Sequence, residues 1–431
     1  MLNTVIGLNS NKNYQINEKY LKYSESSNTL YTIKNSRYIF KLLSKKSNED
    51  EYLLEKKISY LQSRNINDLN ILKPIEQIQG ESLGYIIDFK NNLIPLTDLL
   101  NIKFDIELWQ ETGGLKKRLE ILKNLSKLLS DLHSRGLVYS NLIPENIFIS
   151  VHKESAEVYL IGIEDITHKS IIGNNIQLTN YSAPELTKNI SGTDTYTDNY
   201  SFALIAYQLL TLKHPFDNDI SSFQSVSINE LQSSISKQMM DEFINTFETN
   251  ILNKLKRTTA SKWHKIFTLA LQDILTCNSC KNTFFRNYNL ECSFCQTKKD
   301  SIIIIQIIEL NASLKNELKE MYPQLRLEDI NDIGNVIYTK IGSFNEYIPI
   351  LENDLYLNGS ESILYSIKMD EKFNYIKGNT QTNITVYAKN KIKKVSIKSE
   401  LKVSQGDWYI FSKDFEDNNY QRLIKVKRYD R

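Results

Sequence analysis

Four cysteines are the residues whose spacing points most directly to chemistry. They are the only cysteines among 431 residues, and they form two C-x-x-C pairs, Cys277 with Cys280 and Cys292 with Cys295, separated by eleven residues. Two thiolates from each short turn suit tetrahedral zinc better than four unrelated buried cysteines would. Because the protein would supply all four ligands, the spacing predicts a closed, structural zinc site rather than a catalytic one.

The rest of the composition limits where the protein works and what it binds. The formal charge is only +2, so no global field favours nucleic acid as a partner. The first fourteen residues lack an apolar signal core, and the most apolar run, residues 302–308, is too short to span a bilayer. Free cysteines in one cluster are typical of a reducing compartment. We therefore expect a soluble, cytoplasmic protein with no membrane partner.

A second group of spaced residues lies between Leu132 and Ile147, where the chain reads LHSRGLVYSNLIPENI. It resembles the catalytic loop of protein kinases, L-H-x-x-G-ϕ-ϕ-H-R-D-L-x-P-x-N-ϕ, where ϕ is apolar. The framework positions stand in register: Leu132, His133, Gly136, Leu142, Pro144, Glu145 and Asn146. The H-R-D core, however, is Tyr139-Ser140-Asn141, and an amide cannot accept the substrate proton that the aspartate takes in kinases.

The kinase resemblance extends over about residues 14–275 through further ordered motifs. Ala183-Pro184-Glu185 matches the A-P-E that ends the activation segment, and Asp198 begins a match to D-x-W-S-ϕ-G. Residues 257–263, RTTASKW, are similar to R-P-T-A-x-x-W. The resemblance implies structural roles for Glu185, Asp198 and Arg257, with Glu185 and Arg257 as an ion pair.

The magnesium motif of kinases, D-F-G, is degenerate in this chain. The residues at its place after the second strand are Gly162-Ile163-Glu164, so the position of the metal-binding aspartate has no carboxylate. A shifted register would offer Asp165 instead, but a residue displaced along a strand faces differently. Magnesium is therefore not expected.

The small-lobe nucleotide residues follow from the same resemblance. Lys41 matches the lysine of the V-A-I-K strand, although an ordinary strand lysine remains the alternative, and Glu55, or else Glu51, would be its partner from the following helix. Asp88 would mark the hinge, and Asn146 would complete the set. Residues 23–31, at the place of the glycine-rich loop, contain no glycine, and Glu25 would repel phosphate. Any ATP or other nucleotide should therefore bind weakly.

Periodic patterns predict the elements that would position these residues. A hairpin should turn at Asn35-Ser36, and helices should cover residues 48–61 and 115–132, the second ending at Gly136. Residues 301–431 are rich in β-branched and aromatic runs, with a helix expected near 314–321 and a lysine-rich stretch at 389–398 that favours a solvated strand edge over an anion-binding surface.

These patterns together predict an α+β chain with a bilobal kinase-like fold, a zinc ribbon and a mainly β C-terminal domain. The expected boundaries are 1–101 for the small lobe, 102–275 for the large lobe, 276–299 for the ribbon and 300–431 for the last domain. This order of domains is similar to that of bacterial kinase–zinc-ribbon signalling proteins.

Three functions are consistent with the residues. The leading interpretation is a catalytically impaired pseudokinase that binds protein partners, through the kinase-like lobe or the β domain, in a signalling, stress or defence complex. The first alternative is a divergent but active Ser/Thr kinase that uses ATP. The second is a nucleic-acid-binding protein that uses the ribbon and the lysine-rich stretch, although the ribbon holds only Lys281 and Arg286 between its cysteine pairs.

Overall fold

A computed structural model places most of the chain in two compact units, Met1–Thr268 and Leu269–Arg431. The structure describes residues 4–22, 29–43, 52, 54–58, 66–90, 92–100, 105–168, 178–188, 192–216, 234–287, 290–299, 301–310, 334–355, 360, 362–370, 372–378, 382–388, 391–397, 400–404, 408–411 and 422–430. Within these ranges no helix is both long enough and apolar enough to cross a membrane.

The first unit begins with a six-stranded antiparallel sheet in the order β1-β2-β3-β4-β7-β6. The predicted turn at Asn35-Ser36 connects β3 to β4, and Asn35 adopts φ 51°, a left-handed conformation that asparagine tolerates. The strands up to the large lobe are β1 Thr4–Ile6, β2 Asn13–Lys22, β3 Thr29–Ile33, β4 Tyr38–Leu43, β5 Ile71–Leu72, β6 Pro74–Gln77, β7 Leu83–Asp88 and β8 Leu93–Pro95. Residues 54–58 of the predicted helix 48–61 are helical.

The two edges of this sheet meet, so that it closes on itself. The amide of Leu8 donates to the carbonyl of Gln77 at 2.8 Å, and the amide of Gln79 donates to Ile6 at 2.8 Å. A hydrophobic cluster fills the inside: Val5, Tyr14, Ile33, Phe40, Ile78 and Ile86. Closure satisfies the backbone groups that an open edge strand would expose.

The large lobe is built around two buried helices. Helix Gly114–Ser134 confirms the predicted apolar helix, since its leucines at 115, 119, 122, 125, 129 and 132 are all fully buried, and Gly136 follows it with φ 73°. Helix Thr195–Thr211 begins with a capping box between Asp194 and Thr197. Between residues 97 and 270 the other described helices are Thr97–Leu100, Ile106–Glu111, Pro184–Thr187, Lys237–Ile244 and Ala260–Ala270, which ends two residues past the unit boundary. Short 3-10 turns cover Pro144–Asn146, Ile163–Asp165 and Lys254–Lys256, and a π turn covers Asn245–Thr249.

Short strands lie beside these helices and frame the loop that follows Val138. They are β9 Leu137–Val138, β10 Ile147–Ser150, β11 Val158–Ile161 and β12 Thr167–His168. Strands β10 and β11 form a hairpin within a four-stranded sheet of order β5-β11-β10-β8, and β9 pairs with β12. The loop 139–146 is therefore held between two strand pairs.

The second unit contains a short hairpin and two antiparallel sheets. The hairpin is β13 Ile274–Thr276 with β14 Thr283–Phe285. The sheets have the orders β16-β15-β24-β23-β20-β21 and β17-β18-β19-β22. Their strands are β15 Ser301–Leu310, β16 Gly334–Ser343, β17 Ile348–Leu351, β18 Ile363–Met369, β19 Phe373–Gly378, β20 Thr382–Ala388, β21 Lys391–Ile397, β22 Glu400–Ser404, β23 Trp408–Phe411 and β24 Arg422–Asp430.

The two sheets share one core, in which isoleucines of β15, β17, β18 and β19 pack together. The described helix here is Glu352–Leu355; the helix expected near 314–321 lies outside the described residues. The β13–β14 hairpin packs against the larger sheet of this unit, because Leu275, Phe284 and Cys292 share a cluster with Ile302 of β15 and Ile341 of β16. Residues 269–431, which include the four cysteines and the strands that follow them, form one compact unit. The boundaries expected near 275 and 299 stay a prediction.

Candidate functional site

The loop 139–146 is fixed by one buried aspartate from the helix Thr195–Thr211. The carboxylate of Asp198 accepts hydrogen bonds from the amides of Tyr139 at 2.8 Å and Ser140 at 3.1 Å. It also lies 2.9 Å from Nε2 of His133, at the end of the long helix. Asp198 is 2% exposed, so these contacts tie the loop to the centre of the large lobe. This geometry gives Asp198 a structural role, as the resemblance implies.

The amides of the loop face one carboxylate. Nδ2 of Asn141, at the position of the catalytic base, lies 3.3 Å from Oδ2 of Asp165, and Nδ2 of Asn146 lies 3.4 Å from the same atom. Asn146 also donates to the carbonyl of Asn141 at 3.0 Å. Neither amide can act as a general base. The structure thus brings together Asn141, Asn146 and the residue that the shifted register would supply.

Gly162 places no side chain at the position of the kinase metal ligand, and its backbone lies close to Asp165 and Lys41. Its φ is 105°, and a Cβ there would lie 2.9 Å from Oδ2 of Asp165 and 3.1 Å from Nζ of Lys41. A larger residue would therefore be strained and crowded at this point. The chain turns directly after it through Ile163–Asp165, with Ile163 buried, and this turn delivers Glu164 and Asp165 to the site.

Lys41 pairs with Glu164 and not with the residue expected from the helix. Nζ of Lys41 lies 2.7 Å from Oε1 of Glu164, and the Lys41 side chain is 1% exposed. The hydroxyl of Tyr85 donates to the other oxygen of Glu164 at 2.5 Å. Glu55 is exposed, and Glu51 lies outside the described residues. The expected Lys41–Glu55 pair is therefore corrected to Lys41–Glu164.

The described part of the helix, residues 54–58, supplies a cation to the site. Lys57 donates from Nζ to the backbone carbonyl of Glu164, and burial lowers the pKa of Lys57 even though Asp165 and Glu164 are near. Sequence reasoning missed this residue. The sequence offered one signal for Lys57: it lies two residues after Glu55, so its side chain is on a different face of the helix from that of Glu55.

The two adjacent carboxylates have opposite pKa shifts. Burial opposes ionisation of Glu164, but the charge of Lys41 and the hydrogen bonds from Lys41 and Tyr85 outweigh it and hold the pKa of Glu164 below its usual range. Burial, with the neighbouring charge of Glu164, raises the pKa of Asp165 to about 7. One carboxylate is thus a fixed anion, while the other changes its protonation near neutral pH.

Aromatic rings bridge the two lobes beside this cluster. Tyr20 of β2 stacks on Phe148 of β10 at a centroid distance of 6.3 Å, and it meets Phe89 edge-on at 5.7 Å. The hydroxyl of Tyr20 donates to the carbonyl of Leu93 at 2.8 Å. A base between two parallel rings needs about 7 Å, which is two van der Waals separations. The Tyr20–Phe148 spacing is therefore too small for a base to enter between these rings as they stand.

The expected hinge residue, Asp88, lies at the exposed end of β7. Its carboxylate lies 2.6 Å from a guanidinium nitrogen of Arg37. Both residues line a groove of about 690 Å³ together with Lys73, Phe89 and Tyr159. The structure does not bring Asp88 to Lys41 and Asn146.

Glu185 and Arg257 form a buried pair far from this cluster in the sequence. The two carboxylate oxygens accept from Nη1 and Nη2 of Arg257 at 2.7 and 2.8 Å. Arg257 also donates to the carbonyl of Ile251 at 2.9 Å and lies over the ring of Tyr200. The structure brings together the two residues that the resemblance paired.

The four cysteines meet in the second unit. Their Sγ atoms all lie within 4.8 Å of one another, with Cys277 to Cys295 at 3.5 Å and Cys280 to Cys292 at 3.6 Å. Four sulfurs at about 2.3 Å from one tetrahedral metal would lie about 3.8 Å apart. The cluster therefore has the size of a four-thiolate metal site.

The two C-x-x-C turns have the same backbone geometry. The amide of Cys277 donates to Asn282 and the amide of Cys292 to Thr297, both at 2.9 Å. Lys281 and Gln296, four residues after the first cysteine of each turn, both adopt a left-handed φ near 60°. Two equal turns facing each other present two sulfurs each, as a shared metal ion requires.

Comparisons with known proteins agree with the large-scale pattern. The family described as protein kinase domain matches residues 22–285. The serine/threonine-protein kinase pkn2 of Myxococcus xanthus is 30% identical over 112 residues, or 24% of this chain and 13% of that protein. The probable serine/threonine-protein kinase nek3 of Dictyostelium discoideum is 24% identical over 197 residues, or 41% of this chain and 17% of that protein. The chain therefore spans only a small part of the relatives it matches.

A further relative and a solved structure extend the comparison. The serine/threonine-protein kinase ArnS of Sulfolobus acidocaldarius is 29% identical over 138 residues, which are 28% of this chain and 21% of that protein. A crystal structure of a Toxoplasma gondii rhoptry antigen kinase domain aligns with 62% of this chain and 85% of its own, at 12% identity and a TM-score of 0.46.

Proposed function

Because this chain belongs to the protein kinase family, we propose that it uses the kinase fold as a non-catalytic module that binds protein partners in a cytoplasmic signalling complex. The observation that supports this most is the pairing of Lys41 with Glu164 inside the fold. A kinase needs this lysine for the phosphates of ATP. Here the carboxylate of Glu164 stands where a phosphate oxygen would have to come.

The loss of the catalytic base supports the same proposal. Asn141 stands at the base position, and its side-chain amide donates toward Asp165. Phosphoryl transfer depends almost entirely on positioning and charge neutralisation, with one carboxylate to orient the nucleophile. The loop is still anchored to Asp198, so it keeps its conformation. Without this carboxylate it cannot orient the nucleophile for phosphoryl transfer.

The space for a nucleotide base is also reduced. Tyr20, Phe89 and Phe148 contact one another where the small and large lobes meet. Since Tyr20 also donates to the backbone of Leu93, a base could enter only by displacing the ring and breaking that hydrogen bond. We therefore expect nucleotide affinity to be low even before the phosphates are considered.

A divergent active kinase is a second candidate, and the contact between Asp165 and Asn146 favours it. Oδ1 of Asn146 is buried and has no hydrogen-bond partner in the part of the chain that the structure describes. A carboxylate and an amide oxygen are suitable ligands for Mg²⁺, so Asp165 and Asn146 are the residues that would hold this ion. Bound there, the ion would neutralise phosphate charge.

Phosphate incorporation with isotopically labelled ATP distinguishes the two candidates. The non-catalytic proposal expects no time-dependent transfer to the protein itself or to a generic substrate, with or without Mg²⁺. It also expects no shift in melting temperature when ATP and Mg²⁺ are added together. Magnesium-dependent transfer that Asp165→Asn abolishes would establish the divergent enzyme instead.

The lysine test needs a matched variant, because Lys41→Met alone would leave the buried carboxylate of Glu164 unpaired. Lys41→Met combined with Glu164→Gln removes both charges. If the fold is the active element, this double variant keeps the biological activity of the wild type. Loss of activity in a double variant that melts like the wild type would contradict the proposal.

We also propose that the four-cysteine cluster holds one structural Zn²⁺. The donor set of four thiolates suits zinc, and all four tetrahedral positions would be filled by protein, which leaves no place for a substrate. Arg286 of the adjacent hairpin is paired with Asp273 at 3.1 Å. This pairing favours a structural role for the hairpin over nucleic-acid binding.

A further inference from the structure

The outer face of the four-stranded sheet in the second unit carries alternating aromatic and basic residues. The register pairs Lys368 with Tyr375 and Tyr375 with Lys402, so these three side chains point to the same face. Tyr347 directly precedes β17 and extends the row next to Lys368. The row therefore reads Tyr-Lys-Tyr-Lys across the sheet.

Distances confirm that these side chains form one surface. Nζ of Lys368 lies 4.7 Å from the ring centre of Tyr347 and 4.5 Å from that of Tyr375. Lys402 lies 3.3 Å over the ring of Phe373, which in turn is 6.5 Å from the ring of Tyr375. The other face of the same sheet holds the buried isoleucines of the core.

The surface is basic and open. Lys377 lies 5.5 Å from the ring of Tyr347 and is exposed, as is Lys402, while the three rings and Lys368 are half-buried. Two carboxylates lie on the same surface, and each accepts a hydrogen bond from a tyrosine hydroxyl: Asp370 from Tyr375 at 2.6 Å, and Glu400, which is opposite Lys377 in the register, from Tyr347. These bonds hold both rings in place, and the three lysines of the surface outnumber its two carboxylates.

We propose that this aromatic–lysine face, defined by Tyr347, Lys368, Phe373, Tyr375, Lys377 and Lys402, binds single-stranded nucleic acid. The proposal concerns the second unit and goes beyond the function proposed for the kinase fold. Unpaired bases stack on aromatic side chains without regard to sequence, and lysines neutralise the phosphates between them. The lysines that lie over the rings would turn outward to the phosphates as bases replace them.

The residue types favour a nucleic acid over an acidic protein. Lysine is depleted in protein–protein interfaces, whereas lysine and aromatic residues together are typical of single-strand binding surfaces. A duplex keeps its bases stacked on each other and offers no free ring to Tyr375 or Phe373. The face should therefore discriminate between single strands and duplexes.

Fluorescence anisotropy of the full chain with labelled oligo(dT) and oligo(U) of about twelve nucleotides tests this proposal, since one β module covers roughly 4–16 nucleotides. Both single strands should bind, and a duplex should bind at least about tenfold more weakly. Three phosphate contacts at about 0.7 each predict a slope near −2 for the logarithm of the association constant against the logarithm of salt.

Variants locate the site. Lys377→Gln with Lys402→Gln should reduce the salt slope by about 1.4, and because both side chains are exposed this variant should fold normally. Tyr375→Leu should weaken binding by between about fivefold and a hundredfold, while Tyr375→Phe should keep it because the ring remains. Loss of binding in Tyr375→Phe would contradict a stacking role.

Two matched variants serve as controls. Lys281→Gln with Lys298→Gln removes exposed charges near the cysteines, and Lys393→Gln with Lys394→Gln removes charges from the lysine-rich stretch; neither should change affinity. The proposal is overturned if either control loses as much affinity as the face variant, if duplex and single strand bind equally, or if only an acidic peptide such as polyglutamate binds.

Discussion

At the scale of single residues, Lys41 shows how one changed partner alters a whole site. In the pattern that the sequence resembles, the partner comes from the small-lobe helix, which leaves the lysine open to phosphate. Here Glu164 lies against Lys41, and Lys57 of the helix donates to the backbone of the same turn. A phosphate would therefore have to compete with Glu164 for Lys41.

Asp165 should make stability depend on pH near neutrality. Its pKa in the folded protein is raised to about 7, above the ordinary value of 3.8, so the folded state holds the proton more tightly than the unfolded state does. Its contribution is fully present below about pH 4 and is lost as the pH rises through about 7. Asp165→Asn should therefore gain stability over the wild type from pH 5 to pH 8.

Denaturant unfolding of both proteins at several pH values measures this difference. Glu120→Gln provides a control, because burial also raises the pKa of Glu120 but its side chain lies on the long helix away from the loop. A difference between Asp165→Asn and wild type that stays constant from pH 5 to pH 8 would show that Asp165 does not titrate in this range.

The Glu185–Arg257 pair should be strongly coupled. Removing either partner leaves a buried charge, which costs about 3–5 kcal/mol, so Glu185→Ala and Arg257→Ala should each destabilise the first unit by about this amount. The double variant should cost less than the sum of the two. The exposed pair Arg37 with Asp88 is the control, and its cycle should give a coupling below about 1 kcal/mol. Full additivity at Glu185 and Arg257 would contradict the buried pair.

The residues that the sequence predicted well are those fixed by short, local patterns. Cys277 and Cys280 are held by a single turn, and Asp198 lies in a short sequence motif whose neighbouring residues identify it. The partner of Lys41 could not be predicted in this way, because Glu164 reaches it through a turn whose conformation depends on Gly162. Nor did any local pattern place Tyr20 against Phe148.

At the scale of elements, the closed small-lobe sheet depends on one buried carboxylate. Glu76 accepts hydrogen bonds from the hydroxyls of Tyr14 at 2.6 Å and Ser10 at 2.7 Å, and from the amides of Ser10 and Asn9. These donors come from β2 and from the turn after β1. Glu76 therefore joins the turn of the β1–β2 hairpin, and the start of β2, to the edge strand β6.

Glu76→Gln should destabilise the first unit by about 1–3 kcal/mol, because an amide turns one donor toward groups that themselves donate. Glu81→Gln, at an exposed glutamate of the next turn, should change stability by less than about 0.5 kcal/mol. Chemical denaturation followed by Trp109 and Trp263, both buried in this unit, measures the effect. Equal stability of the two variants would show that Glu76 does not hold the sheet closed.

Periodicity in the sequence predicted individual helices and strands better than the contacts that join them into sheets. The helix Gly114–Ser134 follows from its leucines, and the β3–β4 hairpin from its turn. The closure between Ile6 and Gln79 rests on backbone hydrogen bonds, which any sequence of suitable shape can make. Likewise, the aromatic–lysine face could not be predicted from the net charge of +2, because only the strand register brings its residues to one side of the sheet.

At the scale of the whole molecule, the cysteine cluster belongs to the second unit. Cys277 and Cys292 are buried in the same cluster as Ile302 and Ile341, which begin and end the first hairpin of the large sheet. The shared core implies that loss of the metal should weaken the sheet as well.

We therefore expect one zinc per chain by elemental analysis and a selective effect of Cys280→Ser. This variant should lose the metal and lower the unfolding midpoint of the second unit, while the first unit keeps its own midpoint, because binding free energy of a structural zinc contributes to the folding of the unit that holds it. Ser279→Ala, in the same turn but outside the donor set, should behave like the wild type. Fluorescence separates the units, since Trp408→Phe leaves only Trp109 and Trp263 to report on the first. Freshly purified protein without zinc would refute the metal assignment, and a midpoint of the first unit that falls together with the second would refute the independence of the units.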